Sequence, residues 1–159
     1  MISGLAHINL TVPPGTLPEA EVFYGTTLGL TSRPVPAHMA GQLAWFDIGT
    51  SGQQVHIAHC SAGTVNEPQA QRHPCFKVES PEALEKLMNK VHKHYKEGGN
   101  AAPREAESDM ITHTGKSDLL RRPLLWLTAS VSLSGPNGKA FPQRFFARDY
   151  AGNRLEFTL

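Results

Sequence analysis

The sequence predicts an α+β protein in which one unit, strand–helix–strand–strand–strand (βαβββ), occurs twice along the chain. Two observations indicate this. The order strand, helix, hairpin recurs in each half, and the turns and candidate site residues of the two hairpins fall at matching positions. A length of 159 residues, 40% of them hydrophobic, is enough for a single domain with a sizeable core.

The first half contains the elements in this order. Alternating apolar and polar residues, ended by the run Pro13-Pro14-Gly15, predict the opening strand. Apolar residues at helical spacing between Pro18 and Gly29 predict the helix. A Gly-Thr-Ser-Gly turn predicts a hairpin after it. The predicted strands of this half cover residues 5–12, 43–48 and 54–60, with a further strand within 31–41.

The second half begins again with a short strand at His73. Ser80 followed by Pro81 predicts a helix start, and Gly98-Gly99 predict its end. A last pair of strands at 144–149 and 154–159 flanks the turn Tyr-Ala-Gly-Asn. The two halves therefore share one order of elements.

The two hairpins also agree in register. His56 lies four residues after Gly52 and ten after Phe46, and Glu156 has the same spacings to Gly152 and Phe146. We therefore predict one module at about 3–62 and a second at about 72–159. The interval from His73 to Glu156 exceeds that from His7 to His56 by 34 residues (83 minus 49), so the second module has an insertion of that size within 100–141.

The insertion allows several interpretations. Residues 101–116 are polar and favour a mobile loop. Residues 119–133 are apolar and could form a lid, a helix or a partner surface, or could be an irregularity of the sequence without a settled structure. No periodicity separates these alternatives.

Composition and charge exclude several classes of partner. A formal net charge of +1 gives no electrostatic basis for binding nucleic acid or an acidic membrane. The most apolar later stretch is interrupted by charged residues and proline, which leaves too little to span a bilayer. Two cysteines are no disulfide framework, and the opening residues are typical of a strand rather than a signal peptide. We expect a cytoplasmic protein with a small-molecule substrate.

Four chemically competent side chains occupy equivalent places in the two modules. His7 and His73 lie on the opening strands, and His56 and Glu156 on the closing strands. If the modules pack about a pseudo-twofold axis, all four point into one concave sheet. Three imidazoles and one carboxylate suit a divalent metal such as Zn²⁺, Fe²⁺, Mn²⁺, Ni²⁺ or Co²⁺.

At these residues the chain resembles the vicinal-oxygen-chelate superfamily, which includes glyoxalases, bleomycin-resistance proteins and extradiol dioxygenases. The resemblance rests on a segment FYGTTLGL that begins at Phe23 and on an ending of the form D-x-x-GNRLEF that begins at Asp149. It implies paired βαβββ modules that form a cup-shaped, partly open mixed sheet around one divalent metal. The family's ligand places fall on His7, His56, His73 and Glu156.

The resemblance implies a metal-dependent lyase or isomerase of the glyoxalase type, acting on a small oxygenated substrate. Glu156 and His56 are the candidate proton carriers. Glyoxalase I itself has a carboxylate at the place of His56. Three alternatives remain open: an extradiol-type dioxygenase, a thiol-transferase-like resistance enzyme, and a non-catalytic protein that sequesters a small molecule. Exposed sheet edges also favour a homodimer, with the cup formed within one chain or between two.

Strand parity supplies further candidates for the substrate pocket. Among the residues that share the parity of the proposed ligands, five are candidates for the pocket: Asn9, Phe46, Arg144, Phe146 and Arg148. Trp45 and Phe145 are assigned to the core by the same count. We place Cys60 and Cys75 on the opposite face from the proposed ligands and expect no role for them in ligation.

Overall fold

The α+β prediction is confirmed. The computed structural model describes residues 1–60, 70–108 and 144–159, which contain two four-stranded mixed sheets, one in each half of the chain. The sheet orders are β1-β4-β3-β2 and β5-β8-β7-β6, so each half repeats the other. The strands are β1 His7–Val12, β2 Thr31–Arg33, β3 Leu43–Asp47, β4 Gln54–His59, β5 Cys75–Lys77, β6 Glu105–Ala106, β7 Arg144–Arg148 and β8 Arg154–Thr158.

The first helix lies where the apolar spacing predicts it. It starts as α1, Leu17–Ala20, and continues as a π-helical segment, Glu21–Thr27. The wider turns show in the Leu28 N–H, which donates to the Phe23 carbonyl five residues earlier at 2.9 Å. Gly29 follows with φ of 79°, a conformation that costs glycine little, and this ends the helix.

The second helix, α2, covers Pro81–Glu97. Its start is set by Ser80, whose hydroxyl oxygen accepts a hydrogen bond from the Ala83 N–H at 3.2 Å. Its end is set by Gly98, at a φ of 74°. Leu84, Met88 and Val91 form the buried stripe of this helix. Both ends agree with the sequence prediction.

The two sequence segments that carry the family resemblance contact each other. The hydroxyl of Tyr24, on the π-helical segment, donates to Asp149 Oδ2 at 2.6 Å, and both residues are fully buried. In the turn after β7, the N–H groups of Ala151 and Asn153 donate to Asp149 Oδ1 at 2.9 and 2.8 Å. The side-chain amide of Asn153 donates to the carbonyl of Thr11 in β1 at 3.0 Å. The bonds from Tyr24 to Asp149 and from Asn153 to Thr11 link the two halves of the chain, and the other two fix the turn that carries Asp149.

The turns of the two hairpins differ in length by one residue, and this difference reverses the faces predicted for Trp45 and Phe46. β3 ends at Asp47, which pairs with Gln54, whereas β7 ends at Arg148, which pairs with Arg154. The first turn is therefore six residues long and the second five. Because side chains alternate along a strand, one extra residue exchanges the two faces of β3 relative to the count from β4.

The consequence is a correction to the expected roles of two adjacent aromatic residues. Trp45 lies opposite His56 and faces the same side of the sheet. Phe46 lies opposite Val55, is fully buried and packs against Tyr24, with ring centroids 5.8 Å apart. Phe46 is therefore a core residue, and Trp45 lies on the face of the sheet that carries His56, the reverse of the parity assignment. In the second half the expected face is observed, since Phe146 lies opposite Glu156, and its place in a substrate pocket stays a prediction.

Most of the predicted insertion lies outside the described residues. Its first part contains β6, which pairs with β7 and supplies the second sheet with its fourth strand. At Glu105–Ala106 the expectation of a mobile loop is therefore wrong. The interpretations offered for residues 119–133 fall outside the described chain. The module boundaries stay predictions. Within the described residues, no helix is both long and apolar enough to cross a membrane.

Candidate functional site

The first pair of candidate side chains, His7 and His56, lies on neighbouring parallel strands, β1 and β4. Their imidazole rings stack with centroids 4.1 Å apart and planes 11° apart. The indole of Trp45 stacks on the other side of His56, 4.8 Å between centroids. Burial between these rings, and then the charge that His7 can carry, lower the pKa of His56, which favours the neutral imidazole that binds metals.

A short polar chain fixes the orientation and tautomer of His56. The Gln54 side-chain amide N–H donates to Asp47 Oδ1 at 2.8 Å, which turns its Oε1 towards His56 Nε2, 2.9 Å away. Because an amide oxygen only accepts, Nε2 carries the hydrogen. His56 therefore presents the lone pair of Nδ1 to a potential ligand.

The second pair, His73 and Glu156, is in direct contact. His73 Nε2 lies 2.8 Å from Glu156 Oε2, and the His73 side chain is 24% exposed against 14% for Glu156. His73 Nδ1 is 2.5 Å from the Gln71 carbonyl, an acceptor, so Nδ1 carries a hydrogen and Nε2 faces the carboxylate. A histidine held by a backbone carbonyl, with its other nitrogen directed at a carboxylate, has the orientation of a metal ligand.

Aromatic and charged groups surround this second pair. The ring of Phe146 meets His73 edge to face with centroids 5.5 Å apart. Arg144 Nη1 lies 3.6 Å from Glu156 Oε1. Cys75 lies opposite Glu156 on β5. Burial and then the Glu156 carboxylate raise the pKa of the Cys75 thiol to about 11, so the thiol stays protonated and weakly nucleophilic at neutral pH.

The position of Cys75 corrects the expectation that it faces away from the ligands. It is two residues from His73, and positions two apart in an extended chain share a face. Its contact with Glu156 follows from that parity.

The four proposed ligands form two pairs, one in each half of the chain, rather than one cluster. His73 lies two residues before β5, whereas the sequence predicts it on that strand. Among residues 1–60, 70–108 and 144–159, no three His, Cys, Asp or Glu side chains come together as a metal-binding group within a single chain. Asn9 is exposed on β1, at the register position of His56. Each half of the chain therefore supplies two of the four proposed donors.

Of the other predicted pocket residues, two lie beside Glu156 and one is bonded within the fold. Arg144 and Phe146 lie beside Glu156 as expected. Arg148 is 7% exposed, and its guanidinium donates to Glu105 at 3.1 Å and to the carbonyls of Gly152 and Ala70 at 3.1 and 3.2 Å. Its donors serve the fold, which the parity count alone could not show.

Sequence reasoning missed two side chains near these pairs. Trp45 was missed because the additional turn residue reverses its face. Arg154 was missed although it lies two residues before Glu156, and its guanidinium carbon lies 4.3 Å from the Phe146 ring centroid. Parity along β8 was the available signal for Arg154.

Comparison with solved structures finds close agreement in fold. A glyoxalase-family protein from Bacillus anthracis is 22% identical and superposes with a TM-score of 0.61, covering 99% of this chain and 94% of that one. Lactoylglutathione lyase from Agrobacterium tumefaciens is 18% identical and superposes with a TM-score of 0.56, covering 99% of this chain and 93% of that one. The fosfomycin resistance protein FosX from Listeria monocytogenes is 13% identical, with a TM-score of 0.59 over 99% of this chain and 92% of that one.

These likenesses confirm the glyoxalase-like fold that the resemblance implies. A mutant of the Listeria FosX protein, 15% identical with a TM-score of 0.56, is a complex with Mn(II) and 1S,2S-dihydroxypropylphosphonic acid. No protein-family model and no curated protein matches the sequence of the chain.

Proposed function

We propose that this chain is a metal-dependent enzyme of the glyoxalase type, a lyase or isomerase that acts on a small oxygenated substrate. The observation that carries the proposal is the pairing of donors at equivalent places of the two halves: His7 with His56 and His73 with Glu156. Both pairs have oriented imidazoles. The fold is shared with a glyoxalase-family protein and with a fosfomycin resistance protein whose mutant is a complex with Mn(II).

The donor set fits a divalent metal. His73 presents Nε2 beside the Glu156 carboxylate, and His56 presents Nδ1, because the opposite nitrogen of each ring is engaged by an acceptor. His7 would be the fourth ligand. When bound, the metal would polarise adjacent oxygens of the substrate and lower the energy of an enolate or oxyanion.

The chain's own residues supply proton transfer and orientation. The Glu156 carboxylate is the candidate base, and the contact between its Oε2 and His73 Nε2 is a place where one proton can be held. The Gln54–Asp47 chain keeps the His56 ring in one orientation. The rings of Trp45 and Phe146 pack against His56 and His73 and limit the positions that these imidazoles can take.

We infer that a second copy of the chain completes the site. The two pairs lie in different halves of the chain and form no group of three donors within the described part of one chain. In a homodimer, His7 and His56 of one copy can meet His73 and Glu156 of the other. Each chain would then contribute its first donor pair to one metal site of the dimer and its second donor pair to the other.

Metal analysis tests the proposed metal centre. The wild type, purified without added metal and then dialysed against Mn²⁺ or Zn²⁺, should retain about one ion per site, and His7→Ala/Glu156→Ala should retain almost none. The matched control, His38→Ala/Glu97→Gln, also removes one imidazole and one carboxylate, but from exposed positions. It should retain as much as the wild type. Equal, negligible metal in all three proteins would refute the metal centre.

Mixed dimers test where the site lies. His7→Ala and Glu156→Ala proteins, unfolded together and refolded, give heterodimers. If each site joins the two chains, one site in every heterodimer regains all four ligands and metal binding partly returns. If each site lies within one chain, every site retains one defect and nothing returns.

The separation of the two donor pairs also favours a second candidate, a non-catalytic protein that sequesters a small molecule. Such a protein would hold its ligand equally well with and without a chelator. Loss of retained ligand on chelation would count against it.

A further inference from the structure

Three arginines share the face of the second sheet that carries Glu156: Arg144, Arg148 and Arg154. Two of them have carboxylate partners. Arg144 lies 3.6 Å from Glu156, and Arg148 lies 3.1 Å from Glu105. Arg154 has no carboxylate within 4 Å in the described part of the chain.

The guanidinium of Arg154 is nonetheless held in place. Its carbon lies 4.3 Å from the centroid of the Phe146 ring, and its Nη1 donates to the side-chain oxygen of Gln71. A guanidinium stacked on a ring keeps its N–H groups in its own plane, where they can still donate. The Arg154 guanidinium is therefore a positive charge in a fixed orientation. Gln71 engages one of its five N–H groups, so further N–H groups can donate to a bound molecule.

A cavity lies next to the guanidinium of Arg154. Phe146 and Arg154 line a cavity of about 300 Å³, together with Glu105, Ala106, Glu107, Ala147 and Arg148. This is the lower end of the volumes that hold small molecules. The two glutamates are already engaged: Glu105 pairs with Arg148, and Glu107 Oε2 accepts the Phe146 N–H at 2.7 Å. Among the positively charged side chains that line the cavity, Arg154 is thus the one without a counter-ion in the described residues.

The cavity adjoins the proposed metal centre. Arg154 and Glu156 are two residues apart on one strand face, about 7 Å along β8. A molecule a few atoms long can therefore contact Arg154 at one end while its reactive oxygens lie beside Glu156 and His73.

We propose that Arg154 is the specificity residue of this site and binds an oxyanion of the substrate, which is a small organic acid bearing a carboxylate or a phosphate-like group. Phe146 is a positioning residue that keeps the guanidinium plane fixed. The proposal rests on the proposed function, because it names the substrate class of the same site. It assigns to the chain a charged substrate rather than a neutral diphenol.

The test is calorimetric titration with inorganic phosphate and with acetate, in a chelator so that no metal takes part. The wild type should bind at least one of the two, and the tighter one identifies the anionic group. Arg154→Gln should weaken binding by about tenfold or more, as loss of charge-assisted hydrogen bonds does. The matched control is Arg33→Gln, which removes the same charge from an arginine with a 58% exposed side chain on the first sheet. It should bind as the wild type does.

A second variant changes affinity in the opposite direction. Glu156→Gln removes a negative charge beside the site and should tighten anion binding, although it should also abolish metal retention. The inference is overturned if neither anion binds the wild type at millimolar concentration, if Arg154→Gln equals Arg33→Gln, or if Glu156→Gln leaves affinity unchanged. Because the titration excludes metal, a failed metal analysis and a failed anion titration are separate results.

Discussion

Tyr24→Phe removes one hydroxyl from the contact between the two modules. That hydroxyl donates to Asp149 at 2.6 Å, and both side chains are fully buried, so no water can replace it. A hydrogen bond to a charged group contributes about 1.5–3 kcal/mol. We expect the free energy of unfolding to fall by about 2 kcal/mol. With a slope of about 2 kcal/mol per molar urea, the midpoint falls by about 1 M.

The pH dependence of this loss identifies its cause. Burial raises the pKa of the Asp149 carboxyl, while the hydrogen bonds from Asn153 and Tyr24 oppose the rise. Because the folded protein holds this proton more tightly than the unfolded chain does, ionisation of Asp149 costs stability as pH rises from the ordinary carboxyl pKa through the raised one. Tyr24→Phe should therefore cost more at pH 7.5 than at pH values where the carboxyl is protonated.

Urea titrations followed by circular dichroism at several pH values measure both quantities. Tyr95→Phe is the matched control, since Tyr95 is 39% exposed on α2, and we expect a change within about 0.5 kcal/mol. If both variants cost the same, or if the cost of Tyr24→Phe does not change with pH, the hydrogen bond to an ionised Asp149 is not what holds the modules together.

Two further predictions concern the fold. Phe46→Ala should cost about 3–5 kcal/mol of stability, because the ring is fully buried, and Trp45→Ala should cost less, because that side chain is only half-buried; the reverse order in urea titrations would contradict the observed register. Ser80→Ala should cost about 1 kcal/mol by removing the cap of α2, and an unchanged midpoint would show that the bond to Ala83 contributes nothing.

The helices and most strands follow from local sequence signals. Ser80 and the glycines at 98 and 99 delimit α2 because capping and positive φ depend only on neighbouring residues. The face of β3 does not follow in this way. It depends on the number of residues in the turn before β4, and the matched spacings of Phe46 and Phe146 concealed the additional residue.

The candidate site follows from sequence only in part. Repetition and resemblance select the four donors, and the structure pairs them within each half of the chain. Whether the two pairs meet depends on how the sheets are placed in space, which no spacing along the chain encodes. Arg148 and Arg154 look alike in the sequence, and only their partners in the folded chain distinguish a guanidinium bound by carbonyls from one beside a cavity.

The paired aromatic residues of each hairpin bear on how much its turn can change in length. Each hairpin has two consecutive aromatic side chains, Trp45-Phe46 and Phe145-Phe146. A gain or loss of one residue in a turn exchanges which ring enters the core and which lies on the opposite face of the sheet, yet a ring still occupies each place. Such a hairpin tolerates single-residue insertions and deletions that would expose an apolar face in a strictly alternating strand. The two copies of the module could therefore diverge in turn length without losing either the core ring or the ring on the opposite face.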